Sequence, residues 1–246
     1  GFLIDLVKAP AYLYGAMLPN FFLKKNKKLI KKRNIFFYPK YGYKSPSYRV
    51  RFNSYKNFLK ENNSTVKTKE LFDEKFYNKK IYSNKIQLIR LIYFYYLRIK
   101  DLIFRKKPFI AIIHIELLPY IPFVAEFILK IRKIPYIIDV DDAVYLRHEK
   151  GSKPLYFIDK LKFKYMFKNS QKILAGNNFH INYLKKFNNE IDYLPTIIDF
   201  EKYDFKKFKK KYDKFTIVWI GTPSTSFYLN SISDALNKLV EEKNVQ

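Results

Sequence analysis

The sequence has no cysteine and only three histidines, His114, His148 and His180, which are spread without metal-ligand spacing. The first absence excludes a disulfide framework and a thiolate metal cluster, and it fits a reducing cytoplasm. The second argues against a zinc site, which needs several ligands at set intervals. Long apolar runs free of charge are also missing. Residues 1–23, GFLIDLVKAPAYLYGAMLPNFFL, carry Asp5, Lys8, Pro10 and Pro19 and show neither the n-region nor the cleavage site of a signal peptide. A spanning helix needs about 20 apolar residues with few charges, so residues 1–33 are expected to be an apolar, Lys-rich extension, either packed or interfacial. Acids are few: 22 Asp and Glu stand against 48 Lys and Arg, a formal net charge of +26. Ala, Gly and Arg are sparse beside Lys, Asn, Ile, Phe and Tyr, as AT-rich coding alone would produce. A basic chain is nevertheless attracted to polyanions, whether nucleic acid, anionic lipid or phosphorylated metabolites.

Hydrophobic residues make up 48% of the chain and aromatics 19%, which excludes a disordered protein, and 246 residues suffice for one large core or two modest ones. From residue 34 short apolar runs alternate with longer amphipathic ones. NIFFYPK (34–40) reads as a strand, SYRVRFNSYKNFLKENN (47–63) as a helix and STVKTKEL as a weak strand, followed by a long aromatic helix over 84–104. FIAIIHIE (109–116) and IPYIIDV (134–140) are continuous apolar runs, the pattern of parallel strands covered on both faces. Helices over 122–133, 155–169 and 178–187 and strands over 172–176 and 191–195 complete the alternation. It predicts an α/β fold, a Rossmann-like doubly wound parallel sheet over 34–200, in which ligands bind outside the carboxyl ends of the strands. A charged linker (201–214) then leads to FTIVWIGTPSTSFYL, read as the first strand–helix unit of a second Rossmann-like domain over 215–246. There Gly221, Thr222, Pro223, Ser224 and Thr225 sit where backbone N–H groups and hydroxyls can meet a phosphate. The first residue is Gly, and the last ten read as the middle of a helical pattern, as in a piece of a longer chain.

The scarce acids concentrate at a strand end: YIIDVDDAVYL (136–146) holds Asp139, Asp141 and Asp142, and Glu116 ends the preceding strand. Asp139, inside the apolar run, reads as a buried hydrogen-bonded group. Asp142 and then Asp141 are the first candidates for a functional carboxylate, with capping of the next turn as the competing role. His114 lies two residues before Glu116, on the same face if the strand continues, and a lone His in an apolar strand is more often a core residue than a base. Ser47, Arg49 and Arg51 open the first helix, where guanidinium forks suit phosphate and also suit surface ion pairs. Gly176 and Asn177 form a tight turn after KILA.

The succession PSYRVR, HIELLPYIPFVAEFIL, YIIDVDDAVYL, ILAGNNFHINYL, YLPTIIDFEKY and FTIVWIGTPSTSFYL resembles family-4 glycosyltransferases of the GT-B fold, in the family's order over most of residues 34–246. The resemblance implies an acceptor-binding domain followed by the start of a nucleotide-sugar domain. The family's later Glu-x7-Glu pattern and basic pair are then expected beyond Gln246, so residues 1–246 alone are expected to be inactive. It further implies transfer of a sugar from a nucleotide-sugar, a co-substrate with no cofactor or metal, to a cell-envelope glycan or lipid-linked acceptor on the cytoplasmic side of an anionic membrane. Asp142, Asp141 and Glu116 are then the catalytic candidates. Ser47, Arg49, Arg51, His114, Gly176 and Asn177 are substrate-binding candidates, and Gly221 to Thr225 contact the donor. The alternatives are a non-catalytic acceptor-binding or scaffold domain and a basic nucleic-acid-binding protein. For the latter no zinc finger, recognition-helix pair or RNP-type strand is found.

Overall fold

The computed structural model describes residues 32–83, 87–147, 154–197, 216–221 and 223–243. The chain divides into two compact units, Gly1–Glu74 with Leu88–Ile198, and Lys75–Gln87 with Asp199–Gln246. Residues 1–31, most of the expected amino-terminal extension, lie outside the described residues, as do His148 and the expected linker.

The first unit is α/β. Six parallel strands, β1 (Arg33–Tyr38), β2 (Ser64–Thr68), β3 (Ile110–His114), β4 (Tyr136–Val140), β5 (Lys172–Ala175) and β6 (Ile191–Tyr193), form one sheet in the order β2-β1-β3-β4-β5-β6. The chain steps outward from β1 to β2, then returns past β1 and continues the other way, so the order reverses between β1 and β3. Such a sheet is Rossmann-like, with its ligand crevice expected at the carboxyl ends near the reversal. The apolar runs behave as predicted because a parallel strand carries helices on both faces and needs apolar side chains on both.

Register assigns the faces. Ile35 and Phe37 of β1 lie level with Ile110 and Ile112 of β3, and Ile112 with Ile137 of β4. This face is closed by Tyr48, Phe52, Tyr55 and Leu59, which join those residues in one buried cluster with Leu174. Each such buried side chain contributes about 1.5–3 kcal/mol. The covering segment, predicted as one helix over 47–63, is three short pieces: α1 (Pro46–Arg51), a 3-10 turn (Asn53–Tyr55) and α2 (Lys56–Glu61). The break places Phe52 edge-on to Phe37, with ring centroids 5.0 Å apart, a fit that outweighs helix continuity. On the opposite face Tyr38 lies under α4 (Leu88–Phe104), where its hydroxyl meets Asp101, and Tyr136 donates to the Met166 carbonyl of α6 (Pro154–Asn169). Two further helices belong to this unit, α5 (Val124–Ile131) and α7 (Asn178–Leu184). Helix α3 (Glu74–Ser83), which precedes α4, is only weakly amphipathic, so its sequence carries little periodic signal.

In the second unit the expected strand is not formed. Residues 216–221 have no regular secondary structure, and Val218 and Ile220 are exposed. A strand is stable only within a ladder, and no other strand of this unit occurs among the described residues. A 3-10 segment (Pro223–Ile232) and α8 (Ser233–Lys243) follow. Among the described residues no helix is long and apolar enough to cross a membrane.

Candidate functional site

At the carboxyl ends of β3, β4 and β5 the backbone must turn sharply, and three interactions decide where the acids point. The first is buried. Asp139 shares the β4 face that looks toward α1, and Arg51 reaches it from the last turn of that helix. Nε of Arg51 lies 3.2 and 3.1 Å from the two carboxylate oxygens, Nη2 donates to Oδ1, and Nη1 donates to the Leu194 carbonyl at 2.6 Å. Both side chains are about 1% exposed. Arg51, for which the sequence leaves phosphate binding and a surface ion pair both open, forms an ion pair that is buried rather than at the surface, a strut tying α1, β4 and the segment after β6 together. The reason is register: the alternation of β4 turns Asp139 inward, and a buried carboxylate requires a cation.

The second interaction occupies Glu116. Ile115 adopts φ 61°, which a β-branched residue rarely does, so alternation ends at His114 and Glu116 departs from the face that His114 uses. Its carboxylate accepts from Arg147 (2.8 and 3.1 Å) and from Lys162 Nζ (2.7 Å), which is fully buried in α6. Arg147 also donates to Asp159 at 2.7 Å and lies over the Tyr120 ring at 4.4 Å. Burial opposes ionisation of Glu116, but the charge of Lys162 and the bonds from Arg147 outweigh it and hold the carboxyl below its usual range. Glu116 thus locks the strained loop after β3 to α6, and both of its oxygens are engaged. Backbone strain of about 1–3 kcal/mol persists only where surroundings over-determine it, and these two cations do so.

The third interaction remains near the surface. His114 Nε2 lies 2.8 Å from Asp141 Oδ1 and donates to it, because a carboxylate accepts. Phe52 stands edge-on to the His114 ring at 5.7 Å. His180, buried at the start of α7, donates from Nε2 to the Asp141 carbonyl at 2.9 Å, which leaves Nδ1 to accept from the Tyr145 hydroxyl at 2.8 Å. Two of the three scattered histidines therefore converge on one residue. Gly176 makes room for it: a Cβ there would lie 3.3 Å from Asp141 Cα and 3.4 Å from the Val140 carbonyl oxygen. Asn177 is the N-cap of α7, its Oδ1 accepting from the His180 amide at 2.9 Å.

Burial raises the Asp141 carboxyl, but the hydrogen bond and charge of His114, with Arg51 behind, bring it down to about 2. Burial lowers the His114 imidazole, and Asp141 and Asp139 outweigh this and raise it. The pair's stabilisation is thus complete above the ordinary carboxylate value of about 4 and below the ordinary imidazole value of about 6.5. It is lost as pH falls through about 2, where Asp141 protonates, and as pH rises through the raised value of His114. The difference in unfolding free energy between wild type and Asp141→Asn should peak in that window, on the order of 2 kcal/mol, and shrink on both sides. Urea titrations across pH check this, and a difference independent of pH would disprove the pair.

Asp142 is different. It is exposed, its carboxyl has no hydrogen-bond partner among the described residues, and burial with the Asp141 charge raises it above its usual value. The competing role in capping is not filled, because Ala143 holds the N-cap position of the following 3-10 turn (Val144–Leu146) without any side-chain bond. Of the other candidates, Arg49 is exposed and donates to the carbonyls of Tyr43 and Lys44 (3.1 and 3.0 Å), holding the β1–α1 loop. Ser47 is half-buried in α1. Gly221 is exposed in the irregular segment of the second unit, Thr222 lies outside the described residues, and Pro223, Ser224 and Thr225 open the 3-10 segment. Among the described residues no group of three or more His, Asp or Glu is placed to hold a metal ion.

The sheet and its strand-end acids define the class, a Rossmann-like α/β protein with a carboxylate–imidazole site. No family model matches the chain, and no curated protein matches it. Arg147, Lys162, Asp159, Tyr145 and His180 carry no signal of their own in the sequence. Lys162 sits in KLKFKYMFK, where nothing distinguishes a buried lysine from its solvated neighbours.

Proposed function

We propose that this chain provides the acceptor-side domain of a glycosyltransferase, which moves a sugar from a nucleotide-sugar to a hydroxyl of a cell-envelope glycan or lipid-linked acceptor. The observation that carries the reading is Asp142, an exposed carboxylate without a partner among the described residues, beside the His114–Asp141 pair at the carboxyl ends of neighbouring strands. That edge of a parallel sheet is where ligands bind. A base must accept a proton near neutral pH. Asp141, held at about 2, is poorly suited to that task, whereas Asp142 is shifted in the useful direction. In the proposed step the acceptor oxygen bonds to the anomeric carbon, the bond from that carbon to the phosphate oxygen breaks, and the nucleoside diphosphate leaves with the electron pair. The hydroxyl proton passes to Asp142. The Asp141–His114 pair acts on the backbone: clamped through its carboxylate and its carbonyl, residue 141 sets where residue 142 begins. A donor role for Gly221, Thr222, Pro223, Ser224 and Thr225 rests on the sequence resemblance.

The test is release of nucleoside diphosphate by the full-length protein from a panel of nucleotide-sugars, with and without glycan and lipid-linked acceptors. Acceptor-dependent release is expected with at least one donor. Acceptor binding without turnover of any donor would assign the chain to the non-catalytic alternative.

A further inference from the structure

β2 is the edge of the sheet, and its outer face next to α4 is an open groove of about 840 Å³. Six basic residues line it, Lys67, Lys69, Arg98, Lys100, Arg105 and Lys106, against three acids. Asp101 is engaged by two of these cations, Arg105 and, at 3.9 Å, Lys69, and accepts from Tyr38, while Asp73 accepts from Arg90 at 2.7 Å, so the lining keeps a net positive charge. The third, Glu70, is exposed. Arg98 is the unusual member. It is 5% exposed, its Nη2 donates to the Lys69 carbonyl at 2.8 Å, and its guanidinium lies 4.7 Å from the centre of the Tyr38 ring, yet Nη1 is buried without any partner among the described residues. A buried cationic N–H left unpaired is costly, and an anion relieves that cost. Lysines on an edge strand also discourage strand addition, but that role leaves Arg98 unexplained.

The groove wall is not only basic. Phe94, Leu97 and Phe104 of α4 line it, and by helical spacing Leu97, Lys100 and Phe104 border a second stripe, Ile89, Ile92, Tyr93 and Tyr96, which faces solvent. Ile89 is 85% and Phe104 78% exposed. A free phosphate would use the cations and leave this stripe bare. A lipid uses both, because its headgroup is anionic and its chains are apolar.

We propose that the groove between α4 and the β2 edge binds the phosphate headgroup of an anionic membrane lipid, with Arg98 beneath it, the lysines at its mouth and the apolar stripe of α4 against the acyl layer. This site lies apart from Asp142 and does not depend on sugar transfer.

Co-sedimentation of the 246-residue chain with phosphatidylcholine vesicles, with and without phosphatidic acid, tests it. Binding is expected only with phosphatidic acid. Lys67→Glu with Lys106→Glu should weaken it about tenfold or more, and Ile92→Ser with Tyr96→Ser should weaken it without abolishing the dependence on phosphatidic acid. Lys164→Glu with Lys168→Glu on α6 makes the same change in net charge and should alter binding by less than about twofold. Arg98→Met should match the groove variant, and if it fails to fold, the paired lysine variants decide. Three results would overturn the proposal: equal weakening by the α6 variant, which would mean diffuse attraction of a basic protein; binding of glycerol 3-phosphate as tight as that of vesicles, which would mean a soluble phosphate ligand; or binding indifferent to phosphatidic acid.

Discussion

Replacing Arg51 with Met should lower the unfolding free energy by about 3–5 kcal/mol. The cost does not measure what the ion pair contributes. Two charges that are about 1% exposed have given up their water, and removing the guanidinium leaves the Asp139 carboxylate buried without a counter-charge. The Leu194 carbonyl also loses its donor. The double replacement Arg51→Met with Asp139→Leu should recover most of the loss, since exchanging a buried pair for apolar groups of similar volume is often neutral. Arg49→Met, two residues away and exposed, is the control and should cost less than about 1 kcal/mol. Urea denaturation of the four proteins measures all of this. A single-variant loss below about 1 kcal/mol would mean that Asp139 finds water or another donor, and the strut would then be unimportant.

If the chain acts in sugar transfer as proposed, Asp142→Asn in the full-length protein should reduce turnover by a factor on the order of 10² or more and leave the melting temperature within about a degree of wild type, because an exposed side chain without a partner contributes little to the fold. Asn keeps the shape and removes the basicity. Asp141→Asn should behave otherwise. It keeps an oxygen that can accept from His114 but removes the negative charge that strengthens this bond, so stability near pH 5 and the hold on residue 142 weaken and turnover and melting fall together. Unchanged turnover in Asp142→Asn would remove this carboxylate from the mechanism. Lost turnover with a lowered melting temperature would make Asp142 structural and shift the assignment to Asp141.

Most of the sheet is legible in the sequence itself. β1, β3 and β4 stand out as apolar runs whose bounds lie within two residues or so of the observed strands, since burial on both faces leaves a local signature. The segment over 47–63 is legible as helical but not as broken, because Phe52 turns inward to meet Phe37, a partner whose position the local pattern does not contain. The strand expected to run into Gly221 is not formed over the described residues 216–221, for the converse reason. Its apolar run is a local property, whereas a strand exists only with a neighbour, and the described residues of its unit supply none.

The site divides along the same line. Sequence alone determined that acids would gather at the carboxyl end of β4, that Asp139 would be buried and that Gly176 would sit at a tight turn, because each follows from alternation and from the size of a side chain. Only the tertiary structure decided which acid is free. Asp139 is neutralised by Arg51 from 88 residues away, Glu116 by Lys162 from 46, and Asp141 is paired with His114 from 27, so Asp142 alone of the four keeps an unpaired carboxyl among the described residues. Partners so distant in the chain meet through the register of the sheet and the packing of α1 and α6. Electrostatic energy depends on separation in space and on burial, neither of which is written in the order of residues along the chain.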